Sequence, residues 1–434
     1  MRPTGPLRLA AGLLAGALGL AGHGPAAASG TDQTPVGDVR NAVFVGNNWE
    51  GTVDVLAPGS LKRLGRINMI PDQEQRMAEI AANPERLAYY LAIREAIGEG
   101  NDQLVDDMFT SNDGRLLIAS RPSYADVVAI SLETGEVVWR FPVAGQRSDH
   151  MAISPDGAKV VVSASTANLV HVLRVRDGEE LGSFPSGGSP HENTFIDGGR
   201  KIIHASIGYV YTPTDQDRMD PAKGERVLQV VDADTYEVLR RYDLRKALDE
   251  RGLEGKSTAV RPMTLGPDES YVYFQVSFFH GFLEMDLATG EIGRVKKLPN
   301  LVPDTPREQY LLDSAHHGIA MNKRGNKICV AGTMSDYATV VDRRSLEHGP
   351  LLKEPDGKPY WVTRSRTGRH CYISWSGTDK IAKISYRTGR IVDERAVGDH
   401  PQRIRNGFVA RDLVAGLPAP GDLPEYEPMP PTLS

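Results

Sequence analysis

Of the 11 histidines in the 434-residue chain, three stand at one repeated position. Counting back seven places from the glycine of a turn gives His150 in "HMAISPDG" and His191 in "HENTFIDG". The same count gives His400 in "HPQRIRNG" and reaches Gly318 in "GIAMNKRG", just after His316 and His317. Neutral imidazole is the commonest side-chain ligand for transition metals, and a neighbouring carboxylate fixes its tautomer. If these positions converge, His150, His191, His316, His317 and His400 make a site for Cu, Zn or Fe. Asp107 and Glu192 stand among them and would orient imidazoles or move protons. Arg147, Arg261 and Arg403 would anchor a carboxylate or phosphate of a small-molecule ligand. A metal-free polar pocket and plain packing histidines stay open beside that reading. No G-x-S-x-G elbow, H-E-x-x-H helix, P-loop or C-x-x-C pair offers another chemistry.

Whether the positions converge depends on the elements that carry them. The same frame fits "DMFTSNDG" from Asp107, "PMTLGPDE" from Pro262 and "WVTRSRTG" from Trp361, which makes seven units. After each turn except the last comes a β-branched or aromatic run, as in "RLLIAS", "KVVVSAS" and "YVYFQVS". A second run such as "DVVAISLETGEVVWRF" follows, with a "TG" turn joining two strands. One unit is thus a four-stranded antiparallel meander, strands A to D, of about forty residues. So small a sheet cannot bury both faces alone and must stack on its neighbours, which radially gives a β-propeller. Residues 41–64 supply strands B, C and D with no A, and residues 400–410 supply an A with nothing after it. Joined, they close an all-β, seven-bladed propeller over residues 29–410, with N- and C-terminal strands in one blade.

The stretches "FVGNNWEGTVDVL", "AISPDGAKVVVSAS" and "DLATGEIGRV" resemble the repeats of the YVTN-repeat (YncE-like) family of bacterial propellers. The resemblance covers nearly the whole chain after residue 28 and implies the fold. The family's members include lactonase-like enzymes and binding proteins, so it implies no single activity.

The long insertions all fall in D-to-A or B-to-C loops, which open on one rim. Residues 67–105 predict a helical insertion: Asn83-Pro84-Glu85 is a cap, Leu87, Tyr90, Leu91 and Ile97 are apolar, and Gly98 ends it. Residues 211–226, 245–260 and 301–315 enlarge three more loops on that rim. Long loops on a rigid scaffold wall binding sites, so this face is expected to carry the histidine mouth of the channel.

A net charge of −6 gives no basic footprint and argues against nucleic acid as partner. Residues 1–28 read as a cleavable signal peptide: Arg2 and Arg8, an apolar core from Leu9 to Ala21, then Ala26-Ala27-Ala28. The expected mature protein is secreted or extracellular, monomeric and without a membrane span. Cys329 and Cys371 lie in equivalent strands of separate units, one residue out of register, so they point to opposite faces. They are read as buried core thiols rather than a bridge. Residues 411–434 form a Pro-rich tail that cannot join a blade and are read as disordered. Two functions follow. One is an exported metal-dependent hydrolase, lyase or oxidase acting on a small molecule. The other is a non-catalytic extracellular or envelope binding or scaffold protein recognising a peptide, glycan or partner domain.

Overall fold

The protein is described here by a computed structural model covering residues 32–210 and 222–428. The segment read as a signal peptide, most of the 211–226 loop and the last six residues of the tail lie outside these. Seven four-stranded antiparallel sheets make up the chain. Their A strands, blades 1 to 7 in order, are Met108–Thr110, Ser148–Ile153, Pro190–Ile196, Val260–Leu265, Ile319–Met321, Pro359–Arg364 and Pro401–Ala410. In blade 7 the C-terminal Pro401–Ala410 pairs antiparallel with the N-terminal Val39–Asn47, followed by Thr52–Leu56 and Arg63–Asn68. The two ends close the ring as the incomplete units require.

The core lies in slabs between blades. Ile118, Val127 and Trp139 of blade 1 pack against Met151, Val160 and Val162 of blade 2. Tyr273 and Phe282 of blade 4 meet Ile328 and Val330 of blade 5 in the same way. Each sheet is covered on both faces, which is why its B strands are continuous apolar runs rather than alternating ones.

That stacking overturns the reading of the two cysteines. Cys329 and Cys371 are disulfide-bonded, with Cα atoms 6.5 Å apart. They do point to opposite faces of their own sheets, but one face of blade 5 is packed on the opposite face of blade 6. Opposite-facing residues of neighbouring blades are therefore the ones that meet. The bond closes a loop with a sequence separation of 42, so chain entropy alone gives it up to about 4 kcal/mol. Replacing both cysteines with alanine should lower the unfolding free energy by about 2–4 kcal/mol in urea titrations. A midpoint unchanged from the oxidised protein would count against this contribution.

The predicted helical insertion contains α1 (Gln73–Ala81) and α2 (Pro84–Ala96). Asn83 Oδ1 accepts from Arg86 N at 3.1 Å, and Pro84 takes the first turn, where its missing N–H costs nothing. Leu87 and Tyr90 pack with Ile80, Leu104 and Tyr124. Within the 245–260 insertion lies most of a third short helix, α3 (Leu244–Glu250), capped by Asp243. Among the described residues no helix is long and apolar enough to cross a membrane.

The tail is also placed differently from expectation. Up to Pro428 it is packed on the molecule. Pro418 O accepts from Arg66 N at 2.9 Å along the outer strand of blade 7, and Leu417 is buried in that blade's core cluster. Farther on, the Tyr426 hydroxyl bonds Asp102, which also holds Tyr90 Oη at 2.7 Å and Arg94 Nη2 at 2.7 Å. A Pro-rich chain lacks donors but not acceptors, so it can lie along a strand edge without becoming a strand.

Candidate functional site

Four A strands carry a β-bulge at the place the repeat frame singles out. In blade 2 Ser148 pairs with Ala164 and Met151 with Val162, so Asp149 and His150 together oppose Ser163. The same skip sets His191 and Glu192 opposite Ala205, Arg261 and Pro262 opposite Gln275, and Tyr360 and Trp361 opposite Ser374. A bulge bends its strand and re-aims its side chains. Serine hydroxyls hold the bulges: Ser163 Oγ of blade 2 donates across to His191 O of blade 3 at 2.9 Å, and Ser374 Oγ of the facing strand accepts from Trp361 N at 2.9 Å.

Three imidazoles meet as a result. One ring nitrogen from each of His150, His191 and His317 lies within 4.8 Å of the other two. The rings of His150 and His191 are 3.7 Å apart, and His317 stands edge-on to both at 5.9 and 5.6 Å. All three are buried, at 4% exposure or less. His150 Nδ1 donates to Glu192 Oε2 at 2.7 Å, and Arg403 Nη2 donates to His150 Nε2. His317 stacks on Tyr360 at 4.0 Å, with Nδ1 3.3 Å from Tyr360 O. His191 Nδ1 and His317 Nε2 are buried with no hydrogen-bond partner.

Charged groups surround the rings. Arg403 pairs with Asp106 at 3.0 Å and lies over Trp361 at 4.3 Å. Arg147 pairs with Asp149 at 2.7 Å. With His150, the carboxylates of Asp106 and Asp149 form a second group close enough to share one ion. Burial holds all three imidazoles well below their usual range, and Arg403 adds repulsion at His150 and His317. They are neutral, with lone pairs to give. Burial also pushes Asp106 up to about 7, against the pull of Arg403. Glu192 is pushed up to about 8 by burial, opposed by Arg405 and Arg403.

The remaining predicted residues separate into supports and outsiders. Asp107 is fully committed: Arg405 Nε and Nη2 reach it at 2.8 and 2.6 Å, and Met108 N and Met151 N donate to it. These bonds tie the A strands of blades 1, 2 and 7 together. Arg261 donates to Ser277 Oγ at 3.0 Å and to Leu312 O at 2.6 Å, on the insertion side. His316 is not in the cluster. It follows the alternation of an extended chain, so when His317 points inward His316 points into its sheet's surroundings. There its Nδ1 accepts from Gly281 N at 2.8 Å and its Nε2 lies 3.2 Å from Tyr337 Oη. His400 also stands apart, stacked on Trp49 at 3.9 Å. Counting back from Gly407 fails in blade 7 because Gly407 lies inside Pro401–Ala410 and not in a turn. His400 therefore falls just before the strand, at φ 52°.

The histidines stand at the insertion end of the A strands. A cavity of about 400 Å³ runs along the later halves of the A strands toward the A-to-B turns. Glu192, Trp361 and Arg405 are its lining residues nearest the histidines. What the frame could not reveal was the role of the bulge, the Trp361 platform under Arg403 and Arg405, and residues of the opposite rim: Asp32, Lys323, Arg364 and Arg366. The doublet pattern of two functional residues side by side (Asp149-His150, His191-Glu192, Tyr360-Trp361) was the available signal for bulges.

No family model matches the chain, and no curated protein matches it. The fold is similar to that of many solved structures, two of which follow. Virginiamycin B lyase from Staphylococcus aureus aligns with TM-score 0.50 and 16% identity, over 68% of this chain and 84% of that one. Hydrazine synthase of Kuenenia stuttgartiensis aligns with TM-score 0.48 and 16% identity, over 65% of this chain and 76% of that one. The likeness is one of fold.

Proposed function

We propose that this chain is an exported propeller, of the YVTN-repeat kind, that binds a small molecule in its central channel. There it acts as a metal-dependent hydrolase, lyase or oxidase, with Cu, Zn or Fe held by His150, His191 and His317. The observation that carries the reading is the convergence of three buried imidazoles, one ring nitrogen of each within 4.8 Å of the other two. Beside it, His191 Nδ1 and His317 Nε2 are buried without a hydrogen-bond partner, which costs about 1–3 kcal/mol for each atom left so.

The donor set fits. Three neutral imidazoles leave a position open for water or substrate, as catalytic zinc sites do, and the same ligands suit copper and iron. Glu192 on Nδ1 keeps the His150 lone pair on Nε2. A cation there would displace the Arg403 guanidinium from Nε2, and Asp106 keeps that guanidinium paired. When bound, such a metal supplies Lewis-acid polarisation or a water of lowered pKa. The chain's own contribution is Glu192, a carboxyl held near neutrality at the cavity's inner end, placed to give or take a proton. Arg405, fixed by Asp107, presents positive charge beside it. A lyase on the same fold keeps elimination among the three reaction classes.

The test is elemental analysis of the untagged protein after incubation with Cu, Zn or Fe and removal of free ion. Roughly one equivalent of one metal per chain is expected. Protein that stays metal-free under all three would overturn the metal and leave a polar binding site. Export belongs to the same proposal: material recovered outside the membrane should begin at Ser29, and N-terminal sequencing that finds Met1 would refute it.

A further inference from the structure

The cavity has two unlike ends joined by a tube of mixed lining. Met151, Ile153, Phe195, Leu265, Met321 and Val362 are among its walls, as are Asn193, Thr194, Thr264 and Asn406. At the inner end stand Glu192 and Arg405, beside the histidines. At the outer end, on the A-to-B turns of blades 5 and 6, stand Lys323, Arg364 and Arg366. The carboxylate facing these three cations comes from outside the blades. Asp32 Oδ1 lies 2.9 Å from Arg364 Nη2, and Asp32 Oδ2 lies 3.1 Å from Lys323 Nζ. Gln33 O accepts from Arg366 Nη1 at 3.1 Å, while the buried Arg366 Nε has no acceptor.

The segment that brings Asp32 there belongs to no sheet. It crosses the opening on single backbone bonds: Thr34 N to Pro155 O at 3.2 Å and Val36 N to Asn112 O at 2.9 Å. Gln33 Nε2 adds a bond to Thr110 O at 2.8 Å. The Lys323 end of this cluster is open to water, at 42% exposure, while Arg364 and Asp32 are 13% and 17% exposed. An anion arriving from solvent would meet Lys323 first and compete with Asp32 for both cations.

We propose that the channel binds an amphiphilic carboxylate entering from the A-to-B rim. Its head is taken by Arg364 and Lys323, its apolar body lies along the A strands, and Asp32 occupies the head position in its absence. A carboxylate suits the outer cations by charge and by the geometry of the Arg364 fork. An aliphatic body can lie against the six apolar side chains of the tube, whose volume is within the range of small-molecule sites. The inference rests on the channel being the binding site proposed above, and it names the class of molecule.

Octanoate and its neutral match octanamide serve as probes, titrated calorimetrically into the full-length mature protein. Octanoate should bind at least about tenfold more tightly than octanamide, a difference of about 1.4 kcal/mol. Asp32→Asn should tighten octanoate several-fold and leave octanamide unchanged, because a competitor has been removed. The double variant Lys323→Ala/Arg364→Ala should erase the preference; its melting temperature shows whether it is folded. Equal binding of the two probes, no binding of either, or an Asp32→Asn protein with unaltered octanoate affinity would each overturn the proposal. His191→Ala separates the two readings: it should lose metal and keep octanoate, so failure of the metal leaves the carboxylate site standing, and the reverse.

Discussion

Alanine in place of His317 is expected to empty the central site, with bound metal falling from about one equivalent to below roughly a tenth. His191→Ala should do the same, and the double variant should be no lower than either single one. Ligands of one ion act as a unit, so their losses do not add. His317 Nε2 and His191 Nδ1 have no hydrogen bond to lose in the folded chain, and His317→Ala gives up only the contact of Nδ1 with Tyr360 O at 3.3 Å. Stability should therefore change mainly through packing, as where His317 stacks on Tyr360.

Two controls come from the corrected histidines. His400→Ala should leave metal content unchanged and lose only its stacking on Trp49. His316→Ala should also leave metal unchanged, but it strands the Gly281 N–H and costs about 1–3 kcal/mol in urea unfolding. Equal loss of metal in all four variants would show general unfolding in place of ligation. Equal retention in all four would end the three-histidine site.

How far the sequence reached depended on the kind of information each feature carries. Blades and seam were legible because a strand unit with missing partners is a local, countable fact. Residues 41–64 lacked an A strand wherever the rest of the chain went. His150 and His191 were legible for the same reason, since a fixed offset from a turn sets the position along strand A. His400 was misplaced because that offset assumes a turn, and Asn406-Gly407 is strand. The cysteines were misread because register within one sheet says nothing of which face meets the next sheet. The tail and Asp32 were out of reach for a related reason. Both are held by isolated bonds to distant blades, Pro418 to Arg66 and Asp32 to Arg364, and no periodicity records such a bond. Insertion length marks a rim, but the cavity that reaches the A-to-B turns is walled by residues of every blade, and no local pattern records that.

Removing everything after Asp399 should unfold the ring outright. The deletion takes away Pro401–Ala410, the inner strand of blade 7, and bares the edge of Val39–Asn47 that it pairs with. Ile404, Phe408 and Val409 are wholly buried, and each is worth about 1.5–3 kcal/mol of burial. Arg403 and Arg405 go as well, leaving Asp106 and Asp107 inside blade 1 without their cations. Breaking a buried pair from one side costs about 3–5 kcal/mol. Together these losses match or exceed the 5–15 kcal/mol that typically holds a domain together. A second truncation, after Asp412, keeps the closing strand and removes only the packed tail with Leu417 and Tyr426. It should fold and lose a smaller amount, so the pair separates the seam from the tail. Circular dichroism melts and gel filtration read both. A chain ending at Asp399 that eluted as a compact monomer and melted with the full-length protein would mean that blade 7 does not close the ring.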